Sequence, residues 1–354
     1  MAAKRRNLNA IYTEPLPVPI IALPPLIVHH PISIAHYLYA LIVAPVKWKY
    51  TRKHRHMATV ETYTDSVSTH VSSIFVDSTE DMQALWKAGF FGKGTQSRSN
   101  PTWEIRTAKR LQAAMGEDTL APEEVTAFRR AARRKFKNAR AIAEAGGEAA
   151  SETQSLDAES EIKKATLRKE DKPLRNSDGS VVSLEKLQLT YQEAFFLAYG
   201  LDCLEIYDDK TGDRITVPAL LTLLMPDWNP DNSFIVNYVV YHHYRSHGWC
   251  IREGVKFGVD YLLYKRGPPL SHAEFGVIVI PVYNDESRNE AIRQDWSWSS
   301  GVNRVVSGAK KTLVFCYVQI PDSIYSWLTF DELLRRYSVR EVTYKRWIPS
   351  RNRD

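Results

Sequence analysis

Apolar and polar positions are most regularly spaced over residues 184–354, and this spacing predicts helices and strands in one compact domain. The runs Tyr191 to Tyr199 and Phe234 to Tyr244 carry aromatic residues at helical spacing, which is typical of core helices. Later runs rich in β-branched and aromatic residues predict strands: Trp249 to Val255, Asp260 to Tyr264, Phe275 to Tyr283, Leu313 to Ile320 and Arg340 to Trp347. A loop over Asp285 to Ser300 is expected, and helices are expected over Val302 to Lys311 and Phe330 to Tyr337. The predicted fold class is α/β, of the mixed α+β kind.

A smaller α/β region is indicated upstream, over residues 59–103. The run from Ser72 to Val76 predicts a short strand, and Ser78 and Thr79 followed by two acidic residues are typical of a helix start. Three apolar side chains are expected to face inward from this helix: Met82, Leu85 and Trp86. A glycine-rich turn over residues 89–94 would end it, because glycine adopts a positive φ at little cost.

Composition divides the chain into four predicted segments. Residues 1–58 are Pro-rich and apolar, 59–103 form the N-terminal motif region, 104–183 are basic and polar, and 184–354 form the compact domain. The third segment is interpreted as a solvated basic helix followed by a flexible, disordered linker. Contact of its arginines with a nucleic-acid backbone is the alternative, because such charges bind phosphate without reading sequence.

Charge and cysteine content narrow the class of protein. The net charge of +6 favours an acidic partner such as nucleic acid, although dispersed positive charge also serves solubility. The three cysteines, Cys203, Cys250 and Cys316, are too widely spaced for a disulfide framework or zinc knuckle, which favours a reducing compartment. The apolar stretch from Ile32 to Val46 is shorter than the ~20 residues that span a bilayer. It is therefore not interpreted as a transmembrane helix, and two alternatives stay open: a helix buried against another subunit, or one that lies on a membrane surface.

Two histidines near the predicted helix end suggest a metal site. His243 and His247 would share one helical face at i and i+4. No carboxylate stands between them in the position that metalloproteases use. They are therefore interpreted as part of a solvated or nucleic-acid-facing helix end.

A spaced motif over residues 245–272 is more specific. It carries glycines and a lysine in a predicted hairpin, a strand that ends at Tyr264, a Gly-Pro pair and then His272. A second motif, Lys-x-Leu, enters the following strand, and its register selects Lys311 over Lys310. Together these motifs resemble the catalytic domain of the tRNA-splicing endonuclease family, whose catalytic Tyr, His and Lys are all matched.

The resemblance covers residues 184–347 and, upstream, residues 82–99. The upstream part is similar to the fungal-type subunit that cuts at the 5′ splice site. The resemblance implies a restriction-endonuclease-like catalytic domain over 184–354 and intron-containing precursor tRNA as the substrate. It also implies a heterotetramer with a second catalytic subunit and two structural subunits. The expected location is the nucleus, with the cytosolic face of the mitochondrial outer membrane as the alternative.

The resemblance assigns roles to the three matched residues. RNA cleavage by its own 2′-hydroxyl needs a base, an acid for the leaving 5′-oxygen and a cation beside the phosphorus oxygens. The resemblance makes Tyr264 the base, His272 the acid and Lys311 the cation. The products would be a 2′,3′-cyclic phosphate and a 5′-hydroxyl. Because tyrosine normally titrates near ~10, either Lys311 lowers the pKa of Tyr264 or Tyr264 only orients the nucleophile.

The family also holds an intron base between an arginine and a tryptophan through cation–π stacking. Arg304 and Trp347 match those two positions. In the family this pair reaches across to the cleavage site of the partner catalytic subunit. Arg304 and Trp347 are therefore expected to serve a cut that this chain does not make.

Three other functions remain as alternatives. The first is the paralogous subunit that cuts at the 3′ splice site, and the second is a non-catalytic RNA-binding or scaffold subunit of the same complex. The third is a metal-dependent nuclease, for which Asp260, Glu274 and Lys256 are the nearest charged cluster. Glu274 adjoins the His272 motif instead, so this cluster is not interpreted as a metal site. No metal and no small-molecule cofactor is predicted.

Overall fold

The computed structural model describes the chain in several stretches: residues 8–18, 30–51, 55–64, 69–97, 99–113, 130, 134, 184–292, 295–325 and 328–345. The chain divides into two compact units. One unit contains Met1–Gly92 and Leu187–Asp354, and the other contains Lys93–Lys186.

Helices and strands are interspersed along the described residues. The strands are β1 (His56–Thr64), β2 (Thr69–Val76), β3 (Lys93–Gly94), β4 (Leu187–Leu189), β5 (Leu204–Asp208), β6 (Arg214–Ile215), β7 (Cys250–Glu253), β8 (Tyr261–Tyr264), β9 (Phe275–Val282), β10 (Thr312–Gln319) and β11 (Ser338–Tyr344). The α-helices are α1 (Leu8–Ile11), α2 (Pro31–Thr51), α3 (Thr79–Lys87), α4 (Trp103–Ala113), α5 (Tyr191–Phe195), α6 (Val217–Leu224), α7 (Ser233–Ser246), α8 (Glu286–Ile292), α9 (Trp296–Gly308) and α10 (Phe330–Leu334). A π-helical turn, Phe196–Gly200, continues α5, and a 3₁₀ turn, Val255–Phe257, joins β7 to β8.

The smaller unit contains β3 and α4. The N–H of Trp103, at the start of α4, donates to Oε2 of Glu185 at 2.8 Å. The N–H of Thr95 donates to the carbonyl oxygen of Lys186 at 2.9 Å. These two contacts connect the beginning and the end of this unit across a long stretch of sequence.

The larger unit contains two sheets, the first with strand order β4-β2-β1-β5-β6. Strand β1 runs antiparallel to β2 and parallel to β5, with His56 opposite Leu204. The N-terminal strands and strands that follow residue 187 therefore share one sheet. The division of the chain at residues 103 and 184, proposed from composition, stays a prediction.

The second sheet has strand order β11-β10-β9-β8-β7. Strands β9 and β10 are parallel, whereas the other neighbouring pairs are antiparallel. Phe275 at the start of β9 lies opposite Leu263 of β8 and opposite Thr312 of β10. Both sheets mix parallel and antiparallel pairs, so the mixed α/β class predicted from the sequence is confirmed.

One apolar core joins both sheets to α5 and α7. It includes buried side chains from the first sheet, the second sheet and the helices: Val60, Ile74, Val277, Val318, Phe195 and Tyr238. Phe195 is fully buried, and its ring centre lies 4.8–5.6 Å from four other rings: Phe330, Tyr238, Phe234 and Tyr199. The aromatic residues at helical spacing are core residues, as predicted.

The loop predicted over Asp285 to Ser300 is wrong, because most of it is helical. Helix α8 occupies Glu286–Ile292, and α9 begins at Trp296 instead of at Val302. Trp298, Val302 and Val306 recur every fourth residue and contact the cluster around Phe315, so they form the apolar stripe of α9. The sequence interpretation treated the two tryptophans as loop residues and missed this stripe.

The C-terminal end of α9 is also earlier than predicted. The helix ends at Gly308, and Lys310 adopts a left-handed backbone with φ of 57°. Lys311 therefore follows the helix and leads directly into β10. The other helices and strands that were predicted within the described residues are present, with ends that differ by a few residues.

The apolar N-terminal stretch forms α2. Ile32 and Ile42 on this helix are each 72% exposed. Within the described residues, no helix is both long enough and apolar enough to cross a membrane. The basic helix predicted within 104–183 lies outside the described residues, except for Arg130 and Arg134, which are helical.

Replacing Phe195 with alanine should destabilise the fold by about 3–5 kcal/mol, because it removes a buried ring and leaves a cavity. Thermal or denaturant unfolding followed by circular dichroism measures the change. Met57→Ala is the matched control, since Met57 is 53% exposed and should change stability by less than about 0.5 kcal/mol. Equal losses in the two variants would contradict this assignment of the core.

Candidate active site

Tyr264 is the last residue of β8 and lies directly opposite Cys250 of β7. It is half-buried and packs against two clusters, one around Val306 and Leu313 and the other around Trp86, Phe90 and Cys250. Burial raises the pKa of the Tyr264 hydroxyl above its ordinary value, because the tyrosinate is poorly solvated there, and the charge of Arg252 acts in the opposite direction.

His272 lies in the turn that joins β8 to β9. The turn starts at Gly267, whose φ is 101° and whose carbonyl oxygen accepts the N–H groups of Leu270 and Ser271, each at 3.1 Å. The N–H of Glu274 then donates to the carbonyl oxygen of Leu263 at 2.9 Å, which returns the chain to the sheet. The turn leaves the His272 side chain exposed.

Lys311 lies between α9 and β10. Its N–H donates to the carbonyl oxygen of Val306 at 3.1 Å, so the helix end fixes its backbone. Its ammonium donates to the carbonyl oxygen of Ala309 at 3.1 Å and lies 4.6 Å from the ring centre of Phe257. The ammonium is thus oriented by a carbonyl and by the face of an aromatic ring.

The three predicted catalytic residues lie at one end of three neighbouring strands. Tyr264 ends β8, His272 precedes β9 and Lys311 precedes β10, and the pairing of Phe275 with Leu263 and Thr312 aligns these ends. Neighbouring strands are ~4.8 Å apart, so three strands span about 10 Å. The three side chains therefore start from neighbouring positions at one end of the sheet.

The other predicted residues have different placements. Arg304 is exposed on α9, and Trp347 lies outside the described residues. His243 pairs with Glu341 at 2.9 Å, and Nδ1 of His247 lies 2.7 Å from the carbonyl oxygen of His243. The two histidines therefore take part in helix-end and strand contacts.

The residues of the metal-nuclease alternative have structural contacts as well. Oδ2 of Asp260 accepts the N–H of Val279 at 2.8 Å, and burial raises the pKa of this carboxyl. Among the described residues, no group of three His, Cys, Asp or Glu side chains could hold a metal ion. Asp260 thus serves to connect β8 with β9.

Two side chains beside the site were missed by the sequence interpretation. The ring of Phe257 lies under the ammonium of Lys311. Arg252 lies close enough to Tyr264 for its positive charge to lower the pKa of the Tyr264 hydroxyl, against the larger effect of burial. The glycine and lysine hairpin of the motif contains Phe257, so the motif itself could have drawn attention to it. No local pattern indicates Arg252, because its partners come from the N-terminal part of the chain.

Gly267→Ala should destabilise the protein more than Gly212→Ala. Both glycines have positive φ, 101° and 71°, so each alanine costs ~1 kcal/mol in backbone strain. A Cβ at Gly267 would also stand 2.0 Å from Cε2 of Phe90, whereas a Cβ at Gly212 meets nothing within 4 Å. The collision should add about 1–3 kcal/mol, measured by thermal unfolding. Equal melting temperatures for Gly267→Ala and Gly212→Ala would show that the ring of Phe90 does not rest on Gly267.

Comparison with known proteins agrees with the site. The family described as tRNA intron endonuclease, catalytic C-terminal domain, matches residues 234–326, which include Tyr264, His272 and Lys311. The chain is 34% identical to the tRNA-splicing endonuclease subunit SEN2 of Saccharomyces cerevisiae, over 97% of each chain. It is 36% identical to the subunit of the same name from Eremothecium gossypii, over 99% of this chain and 100% of that one.

A relative from Rattus norvegicus, also named tRNA-splicing endonuclease subunit Sen2, is 38% identical over 48% of this chain and 36% of its own length. The two fungal relatives, in contrast, match from end to end, including the N-terminal motif region. The family resemblance predicted from the motifs is confirmed: this chain belongs to the SEN2 subunits of the tRNA-splicing endonuclease.

Proposed function

We propose that this chain cuts intron-containing precursor tRNA at the 5′ splice site, and that Tyr264, His272 and Lys311 carry out the cut. The observation that supports this proposal most strongly is the alignment of these residue types at one end of β8, β9 and β10. The products are a 2′,3′-cyclic phosphate on the upstream exon and a 5′-hydroxyl on the intron.

Tyr264 acts at the 2′-hydroxyl of the nucleotide before the cut. If Tyr264 is ionised it accepts the proton from O2′; if it is neutral it orients O2′ by a hydrogen bond and a water molecule takes the proton, in each case while O2′ attacks the adjacent phosphorus. Burial disfavours the tyrosinate, so only a small fraction of Tyr264 is ionised at neutral pH. The Tyr264 side chain nevertheless packs against two clusters, which favours a fixed geometry for attack.

His272 and Lys311 act on the leaving group and on the charge. As the bond from phosphorus to O5′ breaks, protonated His272 gives its proton to O5′, and its exposure leaves it accessible to RNA. The ammonium of Lys311 stabilises the negative charge that develops on the non-bridging oxygens. The proton lost from O2′ and the proton gained by O5′ balance, so the step needs no further reactant.

Substrate binding and assembly follow from the same family membership. We propose that Arg304, exposed on α9, and Trp347 hold an intron base at the cleavage site of the partner catalytic subunit. The working enzyme is a heterotetramer with a second catalytic subunit and two structural subunits. The exposed strand β11, at one edge of the second described sheet, offers backbone groups for such pairing.

We further propose the nucleus as the location, with the cytosolic face of the mitochondrial outer membrane as the alternative. Both are reducing environments, and Cys203, Cys250 and Cys316 are all free thiols.

His272→Ala should lower the rate of the 5′ cut by about 10²–10⁴-fold, because the leaving oxygen loses its acid. The assay uses the assembled enzyme and an end-labelled precursor tRNA, whose fragments report each cut separately. The 3′ cut should keep its rate. His36→Ala is the control, since His36 is an exposed histidine of α2 outside the region that matches the endonuclease family.

The fragments also separate the competing assignments. Selective loss of the 3′ cut would assign this chain to the other splice site. If both cuts survive in His272→Ala, His272 is not the acid.

Removal of divalent metal should leave the chemical step intact, because the three side chains supply base, acid and cation. Both cuts are followed in EDTA, with spermidine present to keep the tRNA folded, and compared with rates in Mg²⁺. Equal single-turnover rates are expected. A rate that only Mg²⁺ restores, and that neither spermidine nor cobalt hexammine restores, would overturn the metal-free mechanism.

A further inference from the structure

The turn after α3 places an aromatic side chain beside the active-site strands. Phe90 is 4% exposed, and its backbone is left-handed with φ of 59°. Its ring lies 5.7 Å from the ring of Trp86 and 5.0 Å from that of Tyr12, and it rests directly on the backbone of Gly267. A left-handed phenylalanine costs free energy, so the surroundings must hold it in place.

Two arginines of the catalytic part bind the carbonyl groups of this turn. Nη1 of Arg252 donates to the carbonyl oxygen of Phe90 at 2.7 Å, and Nη2 of Arg245 donates to that of Gly89 at 3.0 Å. Arg252 also lies 3.4 Å from Oε1 of buried Glu193. Hydrogen bonds from a charged donor are strong in such partly dry surroundings, so the turn is firmly attached to α7 through Arg245 and to β7 through Arg252.

The attached turn contributes Phe90 to a cluster beside Tyr264. Tyr264 packs against the cluster formed by Trp86, Phe90 and Cys250. Because Cys250 pairs directly with Tyr264, and Arg252 follows two residues later on the same strand, all three side chains lie on one face of the sheet. The charge of Arg252 also opposes the effect of burial on the pKa of Tyr264.

We propose that Phe90 and Arg252 are positioning residues for the 5′ cut: the ring of Phe90 forms the wall that orients the Tyr264 side chain, and Arg252 holds that wall in place. The N-terminal part of the chain thereby takes part in catalysis without touching the substrate. This inference rests on the proposed role of Tyr264.

The matched pair Phe90→Leu and Phe91→Leu tests the proposal. Both residues are buried in the same turn, but Phe91 stacks on Phe196 in the main core, with ring centres 6.3 Å apart. In the assembled enzyme, Phe90→Leu should slow the single-turnover 5′ cut by about 10–100-fold, because Tyr264 loses its wall. The enzyme concentration for half-maximal rate and the 3′ cut should not change. Phe91→Leu should leave the ratio of the two cuts unchanged.

Arg252→Gln should reproduce the selective loss, and Arg252→Lys should recover part of the rate, because lysine keeps a charged donor. In a Tyr264→Phe background, the further change Phe90→Leu should have no added effect, since it acts through the Tyr264 hydroxyl. The 3′ cut reports folding and assembly in every variant.

The outcomes separate the two proposals. If Tyr264→Phe cuts the 5′ site at the normal rate, the role of Tyr264 fails. If Tyr264→Phe is slow but Phe90→Leu is normal, or lowers both cuts equally, the positioning role is wrong. Full additivity of the two changes would also overturn it.

Discussion

The alignment of β8, β9 and β10 is the constraint on which the rest of the site depends. Because Phe275 pairs with both Leu263 and Thr312, the end of one strand and the beginnings of two others meet at a single edge. Side chains alternate between the faces of a strand, so a shift of one residue would turn Tyr264 away from the loop that carries His272. The apolar cluster of Leu262, Ile278, Val306, Leu313 and Phe315 fixes this register by burying one face.

The charged and polar groups at the ends of these strands, on Lys311 and Tyr264, lie in different surroundings. The ammonium of Lys311 has a carbonyl and an aromatic ring for neighbours, and among the residues that the structure describes it forms no ion pair with an acidic side chain. The hydroxyl of Tyr264 is in a different situation, because burial disfavours its ionised form. Under the proposed roles, the Lys311 ammonium, the scarcely ionised Tyr264 hydroxyl and the exposed His272 suit a reaction in which proton transfer accompanies bond formation.

The sequence predicted the second sheet because its strands follow local patterns, and it indicated the three aligned residues because their motifs resemble those of the endonuclease family. Alternating and β-branched runs mark β7 to β11, and Tyr264, His272 and Lys311 each occur at a strand end within a recognisable motif. Helix α9 was predicted too short because its stripe begins with tryptophans, which were interpreted as loop residues. The neighbours Phe90 and Arg252 could not be paired from the sequence, since 162 positions separate them and no period connects them. Trp347 lies outside the described residues and stays a prediction.

The long separation between Phe90 and Arg252 affects how the protein is made. At ~5–20 residues per second, the ribosome needs on the order of ten seconds to reach Arg252 after it has added Phe90. During that time the aromatic turn has no guanidinium to bind its carbonyls, and β1 has no β5 to pair with. A nascent chain therefore exposes an aromatic cluster and a strand edge, both of which chaperones bind. Lys311 emerges later still, so Tyr264, His272 and Lys311 can first come together only after this later part of the chain has been made.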